Sequence, residues 1–285
     1  MSTSTPTEPA QAGPLHRLRQ RPRDSAIVYT ILVVGAALWL FPLVTTLRQS
    51  VQYGGIGNYL TVLTTDYNGV NLVRAFANSL VIAAITVVLT CGVASLAAYA
   101  FAKLSFPGRE TIYHCALLLL AVPTVAILVP VYWITGNLGL FNSPFGVALP
   151  EVVLTLPFAV LLLRNYANGI PDELIEAARV DGAGHARIFR HVFLPLCRPA
   201  LVNLAALCVM WSFQDFLFPS MLLNQADQTT AAQAVQTIQA AFAPTPVQTS
   251  QYFAALMLLA LPAIVIVVLG LKFITQGITA GGVKE

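Results

Sequence analysis

Apolar residues in this chain do not alternate or recur on one helical face; they run on in long blocks. The first block spans about Ala26 to Leu47 and holds no charged residue. A second runs from about Ala75 to Ala102. Thr111 to Pro150 is free of Asp, Glu, Lys and Arg, which is too long for one crossing of a bilayer, since a spanning helix needs roughly 20 apolar residues. The turn-forming residues between Gly136 and Gly146 (Asn137, Gly139, Asn142, Ser143, Pro144) divide it. This gives spans near Ile112–Ile134 and Phe145–Leu163. A fifth is expected near Pro199–Leu223 and a sixth near Tyr252–Ile274, after a Gln-rich connection. The fourth and fifth each carry an acid, Glu151 and Asp215. The pattern predicts an all-α polytopic membrane protein with six transmembrane helices.

Composition agrees. Of 285 residues 57% are hydrophobic and 9% charged, with a mean hydropathy of +0.74. A soluble domain carries roughly a quarter charged residues, so this chain lacks the charge to coat a water-exposed globule. The net charge of +3 is too small to imply nucleic acid as a partner. The positions of the charges matter more. Threading six spans puts thirteen of the fifteen basic residues on one side: Arg17, Arg19, Arg21 and Arg23; Lys103 and Arg109; Arg164, Arg179, Arg187, Arg190 and Arg198; Lys272 and Lys284. Arg48 and Arg74 fall on the other. The positive-inside rule then sets both termini in the cytoplasm. The first apolar run is long for a secretory signal and no small-x-small cleavage site follows it, so a retained helix is expected. Residues 1–24, rich in Ser, Thr, Pro and Arg, read as a mobile basic tail. Residues 25–285 read as one transmembrane domain.

Several chemistries are missing. None of the three lysines follows a glycine, which removes a Walker-type phosphate loop. His16, His114, His185 and His191 make no zinc pair with a Glu, and Cys91, Cys115, Cys197 and Cys208 form no C-x-x-C. No cofactor or metal site is expected.

The longest basic-side loop, Asn165 to Leu196, is patterned. Pro171 suits a helix start, Asp172 and Glu173 favour its dipole, and Gly182 suits a left-handed end. A short helix over about 171–181 is expected, with Leu174, Ala177, Ala178 and Asp181 on one face. A second helix, about 184–194, carries Phe189, Val192 and Phe193, and Pro195 stops or kinks it. By pattern alone this loop is either a segment lying on the membrane surface or a docking helix for a cytoplasmic partner.

The run Glu176-Ala177-Ala178-x-x-Asp181-Gly182-Ala183, followed by Phe189, Leu194-Pro195-Leu196 and Pro199, resembles the EAA loop of bacterial ABC importer permeases. Asn78-Ser79, Ala97-Ala98-Tyr99-Ala100, Phe106-Pro107-Gly108, Leu156-Pro157-Phe158 with Leu163-Arg164-Asn165, and Trp211 to Pro219 are similar to the carbohydrate, maltose-transporter-like class. So is the end from Gln276 to Lys284. Phe213-Gln214, where many members carry Trp-Asn, and Gly282, where Ala is common, depart from the pattern.

The resemblance implies half of a translocation path for a sugar or sugar-like solute. It implies a second permease subunit, a cytoplasmic ABC ATPase dimer that binds the ATP, and an extracytoplasmic solute-binding protein, all around a bilayer. Glu176, Ala177, Ala178, Asp181 and Gly182 would couple to the ATPase. Intramembrane polar groups are costly and commonly face a cavity; Asn78, Glu151, Trp211, Gln214 and Asp215, with Tyr132, are the candidates for the solute path. Other readings remain open here: an importer for glycerol phosphate, a polyol or a polyamine; a stand-alone secondary transporter, which would show inverted repeats; and a membrane enzyme, which would cluster His, Asp or Glu.

Overall fold

A computed structural model of the chain describes residues 22–243 and 245–282, with side chains placed from Ala26 to Ile266 apart from residue 244. The basic tail up to residue 21 and Lys284 lie outside the described residues, as does the side chain of Lys272.

The chain is almost wholly helical. Among the described residues four helices are long and apolar enough to cross a bilayer: α1 (Pro22–Gln52), α3 (Leu72–Lys103), α6 (Pro144–Asn168) and α12 (Pro246–Gly282). Two bent pairs pass the same test of length and composition only when taken together, each as a broken span or a re-entrant segment: α4 (Arg109–Leu118) with α5 (Thr124–Asn137), angled by 100°, and α8 (His185–Leu196) with α9 (Arg198–Gln214), angled by 74°. Between these lie α2 (Gly57–Thr64), a two-residue hairpin of β1 (Asp66–Tyr67) and β2 (Val70–Asn71), α7 (Asp172–Val180), α10 (Leu217–Leu222) and α11 (Ala231–Ala241).

The breaks correct two expected spans. The third span is not the straight helix Ile112–Ile134: a 3₁₀ turn over Leu119–Ala121 leads to Pro123, which is extended and starts α5. Proline has no N–H for the preceding turn and restricts the residue before it. The fifth is not continuous over Pro199–Leu223: Asp215 leaves the helix with φ −64° and ψ 132°. The fourth extends to Asn168, five residues past the expected Leu163, and absorbs Pro150 and Pro157.

The frame is α3. Its buried residues recur at helical spacing (Ala75, Ser79, Ile82, Ala83, Thr86, Thr90, Ala94, Ala98), and its 32 residues make it roughly 48 Å long. Small side chains let α6 pack closely along it, and α9 closes the third side. At the basic end Ala94, Ala98, Ala159, Leu163, Ala167 and Leu204 form a core into which the loop inserts Ile175, Ile188 and Phe193. At the other end Val62, Tyr67, Leu72, Val235 and Ile238 form a separate core under α11. By contrast α1 leaves Leu38, Trp39 and Phe41 at 70%, 84% and 67% exposure, as a helix needing lipid or another chain around it would.

Candidate functional sites

The loop helix α7 is held at both ends. Asp181 ends it and Gly182 follows with φ +78°, a conformation that costs a side-chain-bearing residue steric strain. The Gly182 N–H donates to the Arg179 carbonyl (3.0 Å) and the Ala183 N–H to that of Ala178 (2.9 Å), the paired bonds of a Schellman end. The expected α7 face divides. Ile175 is buried and Ala178 half-buried against the bundle, while Leu174, Glu176, Ala177, Val180 and Asp181 are exposed. Val180 is 87% exposed, unusual for an aliphatic side chain on a short polar helix. Sequence spacing grouped Ala178 with Leu174 and Ala177, but it did not reveal that Ile175 anchors the helix. Pro171 precedes α7 rather than opening it. Behind Gly182, α8 runs two residues beyond the expected end, through a π turn at Phe189–Phe193. The missing N–H of Pro195 accounts for the widened turn.

Where α7 begins, Lys103 at the end of α3 donates to the Ile170 carbonyl (2.7 Å) and to Asp172 Oδ1 (2.6 Å). The ammonium beside Asp172 holds that carboxyl below the usual aspartate range. Nearby, Arg164 of α6 donates to Glu110 Oε1 at 2.6 Å and lies 3.8 Å over the Tyr113 ring. An open groove of about 770 Å³ runs beside α7, lined by Lys103, Arg109, Asp172, Ile175, Glu176 and Arg179 among others. Of the expected loop residues only Glu176 borders it.

The second site lies inside the bundle. Glu151, two turns into α6, is 7% exposed; its Oε2 accepts the Thr86 hydroxyl of α3 at 2.8 Å, and its Oε1 has no protein partner. Asp215 sits at the break after α9. Its Oδ1 accepts the Leu217 N–H at 3.0 Å, while Oδ2 is buried without a protein partner. Both acids border a cavity of about 270 Å³ with Thr86, Thr124, Thr155, Trp211, Ser212 and Gln214. Trp211 is 45% exposed, its ring braced edge-on by Phe158 at 5.3 Å. Among the described residues no Lys, Arg or His lines this cavity.

Four of the five expected path residues thus meet: Glu151, Trp211, Gln214 and Asp215. Asn78 does not join them. Its side-chain amide is spent on the carbonyls of Asp227 (2.8 Å) and Thr229 (3.0 Å). Next to it the Ser79 hydroxyl accepts the Ala231 N–H at 2.9 Å, so this pair clasps α3 to the loop before α11. Tyr132 packs on Phe141 and is not among the cavity's lining residues. Sequence reasoning missed Thr86 and Thr124; the only signal was a threonine within an apolar run.

Residues 91–279 match the family of binding-protein-dependent transport system inner membrane components. The osmoprotective compounds uptake permease protein of Synechocystis sp. is 40% identical over 184 residues, 65% of this chain, and the chain spans 59% of that relative's length. The trehalose transport system permease protein of Mycobacterium tuberculosis is 32% identical over 265 residues, covering 90% of this chain and 96% of its own. A solved chain of a bacterial ABC transporter involved in the import of the acidic polysaccharide alginate superposes with a TM-score of 0.74 at 20% identity, over 94% of this chain and 99% of the other, a likeness of fold. The chain belongs to the binding-protein-dependent transport system inner membrane components, as a multi-pass permease subunit and not an enzyme.

Proposed function

We propose that the chain is one of two permease subunits that form a translocation path for an uncharged sugar or sugar-like solute, driven by ATP bound on a separate cytoplasmic ATPase dimer. A solute-binding protein would deliver the solute from the opposite face. The observation that carries the coupling role is α7: a helix pinned at both ends, presenting Glu176, Ala177 and Asp181 outward. Such a helix can seat in a groove of another protein and move as a rigid body with its bundle. Ala177 allows close seating, Glu176 and Asp181 supply charged contacts, and Gly182 keeps the exit angle. The basic residues on this end support a cytoplasmic position and two cytoplasmic termini.

The cavity around Glu151 suits the solute path. Sugars offer hydroxyl donors and an apolar ring face; Glu151, Asp215 and Gln214 offer acceptors and Trp211 an aromatic surface. An interior with two carboxyls and no base disfavours a phosphate-bearing solute. Named relatives that transport trehalose or take up osmoprotective compounds fit this reading. The relative named for osmoprotective compounds also supports a second reading, a small osmoprotective solute in place of an oligosaccharide.

The test is purification of the tagged chain in mild detergent, with identification of the chains that accompany it and of the ligand held by any solute-binding protein. Recovery of an ATPase and a second permease supports the proposal. A lone chain that transports without ATP contradicts it.

A further inference from the structure

Lys103 is buried to an unusual degree for a lysine. Its side chain is 3% exposed, whereas its partner Asp172 is 76% exposed. A lysine at a helix end facing water normally extends its ammonium outward, because hydration of the charge is favourable. Here the side chain instead turns onto the segment between α6 and α7. It spends one proton on a backbone carbonyl, Ile170, and one on the carboxylate two residues later, at the first residue of α7. Both bonds are short enough to be charge-assisted.

The rest of the loop is fastened to the same helix end, one turn earlier. Tyr99 packs edge-on against Phe189 at 5.5 Å and Phe193 at 5.0 Å. Its hydroxyl lies 3.4 Å from His185 Nδ1. The cytoplasmic end of α3 therefore grips the loop in front of α7 through Lys103 and behind it through Tyr99. An unbroken 32-residue helix joins that grip to the clasp of Asn78 and Ser79 on the opposite face. Thr86, on the same rod, holds Glu151 at the cavity.

We infer that Lys103 is a positioning residue for energy coupling: it locks the start of α7 to α3, so that displacement of α7 by a partner moves α3 rather than the loop alone. This rests on the proposed docking of α7 on an ATPase. Without the ammonium, Ile175 still anchors α7 in the core, but its N-terminus is free to pivot about that anchor.

The test uses the whole reconstituted complex in liposomes and reads solute transported per ATP hydrolysed. Lys103→Met should lower that ratio about tenfold, within the usual range of coupling energies. Lys103→Arg, which keeps charge and donors, should recover most of it. Asp172→Asn, which keeps the bond to Ile170, should lower it only about threefold. Spin labels at Val180 and Leu96, both exposed, should give one narrow distance in the parent and a broadened one in Lys103→Met. A wild-type ratio with an unbroadened distance in Lys103→Met would overturn the inference. So would equal losses in the Met and Arg variants with reduced protein in the membrane, which would make Lys103 a folding residue. The docking reading is checked separately, by cross-linking a cysteine at position 177 to the ATPase in the parent complex; if that fails, the reading beneath the inference fails with it.

Discussion

Two polar regions lie along α3 and are built in opposite ways. At the basic end each charged side chain meets an opposite charge: Lys103 meets Asp172, and Arg164, whose Nε alone is left without a partner, meets Glu110 and lies over the Tyr113 ring. In the cavity, Glu151 and Asp215 each keep one oxygen without a protein partner. A buried polar atom left unpaired costs about 1–3 kcal/mol, a burden on stability that a folded chain carries where a ligand is to be met. Paired charges, by contrast, fix one geometry. On the proposed function, the difference separates a region that transmits movement from one that receives a solute, and mutations should respect that division.

The largest expected effect is at the loop. Gly182→Pro removes the N–H bonded to Arg179 and forbids φ +78°, so membrane insertion should persist while ATP-driven uptake falls at least tenfold. Glu176→Lys should act in the same direction, by opposing the charge at an exposed docking face. Wild-type uptake and ATPase stimulation in both would erase the assigned role of α7.

Cavity variants should behave differently. Glu151→Gln keeps an acceptor and the shape, but it should raise the apparent KM for solute about tenfold, about 1.4 kcal/mol, and leave cross-linking between α7 and the ATPase unchanged. If its uptake kinetics match the parent across solute concentrations, the cavity is not on the path.

A smaller loss is expected from Arg164→Met, which removes the bond to Glu110 and the stacking on Tyr113. Because Glu110 is half exposed and water screens the pair, the loss should be small, seen as a slightly lower melting temperature in detergent. No change would mean that Arg164 contributes by its alkyl packing alone.

The smallest effect is that of pH on the Lys103–Asp172 pair. Asp172 is held below its ordinary value by Lys103 first, with Arg179 adding to it. A depressed carboxyl contributes fully above its unfolded pKa, about 3.9, and that contribution is lost as pH falls through the lower folded value. The narrow distance between labels at Val180 and Leu96 should thus persist from pH 7 to pH 5 and broaden only in stronger acid. Broadening already between pH 7 and pH 5 would contradict this.

The sequence was readable where one residue type dictates a backbone. Gly182 foretold the left-handed end of α7. Long apolar runs foretold α1, α3 and α12 for the same reason: a bilayer demands length more than pattern. What failed was the breaks. Proline is tolerated in membrane helices, and Pro42, Pro130, Pro150, Pro157 and Pro262 all lie inside continuous ones, so nothing local set Pro123 apart. Asn78 was misplaced because an intramembrane amide signals only that it needs partners; the loop carbonyls that satisfy it lie about 150 positions away in sequence. Lys103 was counted as a sign of orientation, since its two acceptors became neighbours only once α3 and α7 were folded together.

The central claim is that α7 carries the coupling between ATP and transport. The most direct measurement is cross-linking from a cysteine in place of Ala177, in a background cleared of the four native cysteines, to the ATPase subunit of the purified complex, with and without ATP. The account predicts an efficient cross-link to the ATPase in both conditions, as expected of a helix that stays seated while the bundle moves. A complex active in ATP-driven uptake yet giving no such cross-link would contradict it.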